Sequence, residues 1–294
     1  MNFRIQGMLL ALVMASASSV VVSAKPEGPT AVTLESLLLM RVDTTVVLDP
    51  QGTLLEFTVK SALDPALKAA LERSAAKWRF SRTSSKPAYG NASEDLRVVL
   101  SAIKVGDRFH YRIDSLGLLN APDGQADSAS EPPPIALRST PGTSYPGDYW
   151  PVTARVLLAI CVSADGKAEH VQAVQSVLSN VRGSPSSLAN AIGAFERSAV
   201  AAAQIWTFRI APDRAALPEG DRTGLVTVTF TGDGVGNFDS VGVWYAVRRN
   251  PRRPIEWAAE KNGGRQVTDF AKGELAPLRG PIAVEIQPAD RDLQ

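Results

Sequence analysis

The side chains with the widest chemical reach are few: two histidines, His110 and His170, and one cysteine, Cys161. A zinc site draws three or four His, Cys or acidic ligands from short, regular spacings. Neither histidine has such neighbours along the sequence, so no metal ligand is assigned. His170 reads instead as a surface or half-buried strand residue. Cys161 sits inside the apolar run Val156-Leu157-Leu158-Ala159-Ile160-Cys161-Val162, which suits a small buried hydrophobe better than a nucleophile. Gly232-Asp233-Gly234-Val235-Gly236 has the glycine density of a phosphate loop. Such a loop must open a helix whose first amides face the phosphate. The residues after Gly236 are β-like, so a hairpin connection is expected. No Gly-x-Ser-x-Gly elbow occurs, and neither histidine is placed to serve a serine as base. Glu72-Arg73-Ser74-Ala75 and Glu196-Arg197-Ser198-Ala199 look like twins, yet Glu72 stands six residues before Trp78 and Glu196 ten before Trp206. Charged helix faces account for both. No catalytic residue and no cofactor site is assigned, and an enzyme is not expected.

Arg248, Arg249, Arg252 and Arg253 form the one basic cluster. It has two readings: contact with an anionic envelope surface such as lipid headgroups or cell-wall polymer, or a solvated hinge after the last strand. The second is preferred, because four charges without an amphipathic helix make a weak membrane signal.

Bulk composition narrows the classes further. The hydrophobic fraction of 45% and charged fraction of 21% are those of a globular chain with a substantial core. Arg4 is the only charged side chain before Lys25, so the chain beyond residue 24 carries 30 basic and 30 acidic side chains. A neutral balance argues against general nucleic-acid binding, which needs surplus Lys and Arg to displace counterions. Arg4, the run Met8 to Val22 and the small residues Val22-Ser23-Ala24 have the layout of a secretion signal ending at residue 24. The alternative is an uncleaved inner-membrane anchor through residues 8–24. That stretch is diluted by Ser16, Ser18 and Ser19 and falls short of the roughly 20 strongly apolar residues a span needs. Cleavage and a periplasmic location are expected. With a single cysteine there is no internal disulfide.

The elements that would position these residues occur twice. Thr45 to Leu48, the turn Asp49-Pro50-Gln51-Gly52 and Leu54 to Val59 make one hairpin signature. Ala154 to Val162, the turn Ser163-Ala164-Asp165-Gly166 and Ala168 to Val171 make another. A helix comes after each. Asp64 and Pro65 suit the cap and first position of the first, with Leu67, Leu71, Ala75 and Trp78 at helical spacing. Phe195, Ala199, Ala202 and Trp206 trace the same stripe in the second, after an expected insertion from Leu178 to Ala191. Both helices run into Trp-x-Phe, as Trp78-Arg79-Phe80 and Trp206-Thr207-Phe208. Both tryptophans read as core anchors between helix and sheet. A loop and a third strand come next, Leu96 to Leu100 and Leu225 to Phe230. An extra β-like run then succeeds each copy (Phe109 to Ile113, Val241 to Val247) and is expected to extend each sheet by one strand.

The second copy resembles the C-terminal domain of TonB energy transducers. The residues that carry the resemblance are Tyr145-Pro146, the Asp165-Gly166 turn, the Phe195-Glu196 helix, Trp206-Thr207-Phe208 and the Val226 to Phe230 strand. The first copy is similar but degenerate, with Gly52 and Trp78-Arg79-Phe80 but no leading Tyr-Pro. The resemblance implies an α+β fold of two such units, each a small antiparallel sheet with one packed helix (ββαβ, with an optional extra strand). The expected organisation is a signal peptide at 1–24 and a degenerate unit at 25–116, then a Pro/Gly/Ser-rich linker at 117–150. The second unit takes 151–249, and 250–294 is a tail or extended arm in which Ile282 to Ile286 suits a short strand. The resemblance also implies binding of envelope proteins, including an outer-membrane receptor, by strand addition. The expected contact surface is Tyr145, Pro146, Leu225, Val226, Thr227, Val228, Thr229 and Phe230, and pairing of two copies as a homodimer is open at the same edge. Energy transduction is not carried over, because the leader reads as cleavable and Pro132 to Pro134 is the only proline run.

Overall fold

Runs of β-branched and aliphatic side chains make strands the dominant element of this chain. The computed structural model describes residues 20–22, 34–82, 91–118, 135–179, 181–210, 216, 218–232, 238, 240–258, 276–277 and 282–293. Most of the leader, the loop at 83–90, the proline run within 119–134, the glycine loop at 233–237 and the tail at 259–275 lie outside the described residues. In chain order a short strand β1 (Val20–Val22) precedes a first half of β2 (Glu35–Leu48), β3 (Leu54–Val59), helix α1 (Pro65–Ala75), β4 (Arg79–Arg82), β5 (Ala92–Val105) and β6 (Arg108–Leu118). Then come β7 (Ile135–Ser139) and a second half of β8 (Thr153–Val162), β9 (Ala168–Ser179), β10 (Val181–Gly183), α2 (Pro185–Ala203), β11 (Thr207–Ile210), β12 (Thr223–Phe230) and β13 (Tyr245–Arg249). Three short strands, β14 (Ala276–Pro277), β15 (Ile282–Glu285) and β16 (Asp292–Leu293), end the chain. The class is α+β, with two α-helices among the described residues and mostly antiparallel strands. No described helix is long and apolar enough to cross a membrane.

The two halves share one order. In each half the hairpin and a later strand pair as β3-β2-β5 and β9-β8-β12, with the helix between the hairpin and that later strand in the chain. Each helix starts on a capping side chain followed by proline: Asp64 accepts from the amides of Ala66 and Leu67, and Ser184 from that of Ser187. Each then ends in the same turn, three residues before the tryptophan. Trp78 N donates to Ala75 O at 3.0 Å, and Trp206 N to Ala203 O at 3.2 Å. Both tryptophans and both following phenylalanines, Phe80 and Phe208, are buried. The hairpin turns match too, since Gly52 and Gly166 have φ of +86° and +80° and both lie against a Trp-x-Phe carbonyl. In each half the strand after the tryptophan forms a separate ribbon with a segment from elsewhere, β4 with β15 and β11 with β7.

Several details depart from the sequence reading. Leu178 to Ala191 is not a loop insertion: it is the end of β9, the strand β10 and the first turns of α2, which starts at Pro185, well before the Phe195 stripe. Ile135–Ser139, inside the expected linker, pairs with β11. Val20–Val22 runs parallel to β10. The larger difference concerns the sheets. They are not two but one, ordered β14-β12-β8-β9-β13-β2-β5-β6-β16 with β3 also on β2. β6 extends the first half as expected, but β13 does not extend the second at its far side. It lies between the halves, pairing Val247–Arg249 with β9 and the whole of its length with Glu35–Leu39 of β2.

One face of this sheet carries the two helices over separate cores. α1 packs Leu67 and Leu71 with Val42, Leu48, Leu96 and Trp78, and α2 packs Leu188, Ile192 and Phe195 with Val156, Leu158, Val226 and Phe230. The opposite face holds a third core built from both halves, with Leu37, Leu39 and Val99 against Leu157, Val177, Leu225, Phe238 and Val247. Burial on both faces explains why β8 is buried at every position and reads as an unbroken apolar run.

The expected solvated hinge is corrected at Arg249, which is part of this junction, while Arg253 stays exposed. Arg249 is buried on β13, donating to Glu35 at 2.8 Å and to both carboxylate oxygens of Asp114 at 2.8 Å. Burial opposes its charge, but the Asp114 and Glu35 carboxylates outweigh that and hold the guanidinium above its ordinary range. Arg253 pairs with Glu196 of α2, which also accepts from Asn250 and Ser176. Two further buried arginines grip a single residue of the third core: Arg41 Nη1 donates to Phe238 O at 3.1 Å, and the Arg155 guanidinium lies 4.5 Å from the Phe238 ring.

Candidate functional site

A strand that accepts a partner must have an open side, and β12 is the last long strand at its end of the sheet. All eight of its residues pair with β8, from Thr223 opposite Cys161 to Phe230 opposite Ala154. On its other side β14 meets only Gly224 and Leu225. Among the described residues no strand pairs with Val226, Thr227, Val228, Thr229 or Phe230 on that side. Their side chains are not available as contacts: Leu225, Val226, Thr227, Val228 and Phe230 are buried and Thr229 half-buried. What the edge offers is main chain.

Tyr145 is distant from this strand in sequence but meets its end in space. The half-buried Tyr145 ring stands 6.2 Å from Phe230, 5.5 Å from Phe195 and 5.3 Å from Trp150. Its hydroxyl donates to the carbonyls of Val152 and Tyr149, which ties the entry segment to the start of β8. Pro146 opens a single 3-10 turn, Gly147–Tyr149. Trp150, 60% exposed, is the solvent-facing member of this aromatic group. The sequence did not single it out, because nothing local distinguishes an exposed tryptophan from a buried one.

The structural signature residues Gly52, Gly166, Trp78, Phe80, Trp206 and Phe208 all lie inside their units. They position the hairpins and do not touch the edge. Beside Gly166 is a cleft of about 530 Å³ between the hairpin turn and the β7–β11 ribbon, lined by Leu137, Arg138, Asp165, Phe208 and Arg209. Cys161 is buried, and burial pushes its thiol above the ordinary range. It donates weakly to Glu219 O at 3.7 Å, and burial of this kind disfavours the thiolate.

His170 is less isolated than the sequence suggests. It is exposed on β9, and the tertiary fold brings its imidazole to one spot with two carboxylates: the ligand atoms of Glu169, His170 and Glu219 all lie within 4.8 Å of one another. Glu219 comes from the 3-10 turn before β12, so no spacing rule could have found it. His110, on β6, has no such company among the described residues. No family model, no curated protein and no solved structure matches this chain.

Proposed function

We propose that the chain is a periplasmic strand-pairing protein. Its second half would bind an extended segment of a cell-envelope protein, an outer-membrane receptor among the candidates, as the TonB C-terminal domains it resembles do, and its first half would be a degenerate copy of the same unit. One observation carries this reading: β12 ends a long antiparallel sheet with five residues, Val226–Phe230, that no described strand covers on the outer side. Unpaired amide and carbonyl groups along such an edge take up a partner strand through main-chain hydrogen bonds, and side-chain pockets set its specificity. Trp150, exposed beside the Tyr145–Phe230 contact, supports a pocket of that kind at the strand's end. Binding of cell-wall polymer or lipid through the arginine cluster has less support, since Arg249 is buried against Glu35 and Asp114 and the exposed Arg253 is paired with Glu196.

The test is a photo-crosslinking residue at Thr229 in the chain lacking residues 1–24, mixed with an envelope fraction. A discrete envelope protein trapped from Thr229, and not from the same probe at the exposed Phe109 on β6, is the expected result. Crosslinks only to a second copy of the chain would make the edge a homodimer contact. No adduct from a well-folded sample would remove the proposal. Mass measurement of the exported protein, expected to begin at Lys25, tests the periplasmic reading separately.

A further inference from the structure

The cluster around His170 has a built surround: Arg222 bonds the Glu169 carboxylate, the Trp257 ring flanks the imidazole, and Thr223 bonds the main chain of Glu219. β9 carries an irregularity at this point: Cys161 pairs with His170 and Val162 with Ala168, which leaves Glu169 without an opposite residue. An extra residue of this kind disturbs the alternation of side chains along a strand and re-aims one of them. Here Glu169 comes to the same side as its neighbour His170, which a regular strand would forbid. Arg222 then fixes the Glu169 carboxylate, with Nη1 donating to Glu169 Oε2 at 3.1 Å and to Val162 O at 2.6 Å. That leaves the second carboxylate oxygen for another partner.

One hydroxyl, that of Thr223, links the Trp257 ring beside the imidazole to the main chain of the turn that carries Glu219. The Trp257 ring lies against His170, centroids 5.3 Å apart, and its Nε1 donates to Thr223 Oγ1 at 2.9 Å. Thr223 Oγ1 in turn donates to Glu219 O at 2.7 Å, which holds the turn that presents the Glu219 side chain. His170 Nε2 stands 4.0 Å from Glu219 Oε1. Two carboxylates against one guanidinium leave the spot net negative.

We propose that Glu169, His170 and Glu219 form a binding site for a divalent transition ion of the zinc class, with Arg222, Thr223 and Trp257 as its positioning residues. One imidazole nitrogen and two carboxylate oxygens suit such an ion better than Ca²⁺ or Mg²⁺, which prefer oxygen alone. Bonds of about 2.0–2.2 Å in tetrahedral array put donors roughly 3.3–3.6 Å apart. The donors are therefore near that spacing already, and small rotations at exposed side-chain ends close the remainder. Three protein donors leave a fourth position to water or to a donor from a partner. Outer contacts of the kind made by Arg222 orient a ligand without touching the metal.

The test uses the untagged chain lacking residues 1–24, after treatment with chelator, titrated with Zn²⁺ by calorimetry and with Co²⁺ by visible absorption. One saturable equivalent is expected, with the Co²⁺ ligand-field bands of a low-coordinate site. His170→Ala and Glu219→Gln should abolish both signals, while His110→Ala leaves them intact. Arg222→Gln should weaken Zn²⁺ binding about 10–100-fold with the ligand set, and so the Co²⁺ spectrum, preserved. All three donors are exposed or half-buried, so circular dichroism should show these variants folded. Absence of saturable binding to the folded wild type, or binding that survives His170→Ala, overturns the site.

Discussion

Gly166 shows how one residue type can fix a contact between two elements. Its φ of +80° favours glycine, and a Cβ there would lie 2.3 Å from Phe208 O; Gly52 repeats the case with φ +86° and a distance of 2.5 Å to Phe80 O. In both halves the hairpin turn can sit on the Trp-x-Phe strand only because the side chain is absent. Gly166→Ala and Gly52→Ala should each cost about 1–3 kcal/mol from backbone strain, with the clash adding to it; urea unfolding monitored by fluorescence measures this. Asp95 offers a pH test at the same scale. Lys60 Nζ donates to its carboxylate at 2.6 Å and Thr45 at 2.9 Å, and these bonds hold its carboxyl below the usual range against the opposing effect of burial. A carboxyl lowered in the folded state stabilises above its unfolded value, near pH 4, and loses that contribution as pH falls through the folded value. Asp95→Asn should therefore be less stable than wild type at pH 7, with the difference fading below about pH 4. The glycines were legible because a tight turn demands them locally. The company of His170 was not, because Glu219 reaches it across the sheet.

At the scale of elements, the helix with a tryptophan three residues past its end recurs in both halves. Trp78 Nε1 donates to Ser74 Oγ at 3.1 Å, and its ring stands 5.4 Å from Phe57. Trp206 Nε1 reaches Pro141 O at 3.4 Å. Each ring fills the space where helix, hairpin and third strand meet, so Trp78→Ala and Trp206→Ala should each cost roughly 3–5 kcal/mol, read as a lowered denaturation midpoint with an unchanged slope. The helical stripes, the hairpins and the third strands could be read from period and turn residues. The start of α2 could not be read so easily, because Leu178 to Ala191 mixes strand and helix signals over a few residues and the cap at Ser184 lacks a long apolar run behind it. The placement of β13 was also hidden: Tyr245–Arg249 has the composition of an edge strand, and only its partners put it at the centre.

For the whole molecule, the joined sheet changes what the two halves can do separately. β13 gives both a common hydrogen-bonded ladder, and the core of Leu37, Val99, Leu157, Val177 and Phe238 draws on both. The end of the chain adds to this, since Ile286 and Leu293 enter the first half's core and Ser74 Oγ donates to Asp290 O. Unfolding should be a single transition, with fluorescence and circular dichroism coinciding; two separated transitions would mean independent halves. Arg249→Met removes both of its hydrogen bonds to the Asp114 carboxylate, which is 16% exposed and keeps the nearby charges of Arg252 and Arg291. It should cost about 3–5 kcal/mol, the usual effect of removing one partner of a buried pair, and should loosen the coupling between halves.

The sequence by itself determined the repeated hairpin, helix and Trp-x-Phe order, because turn dihedrals, helix caps and apolar periods are properties of a few adjacent residues. Only the tertiary structure decided that the two units share one sheet, that Arg249 is buried between them, and that two glutamates meet His170. Each of these depends on which main chains lie side by side, and strand pairing is set by cores that no short stretch of sequence contains.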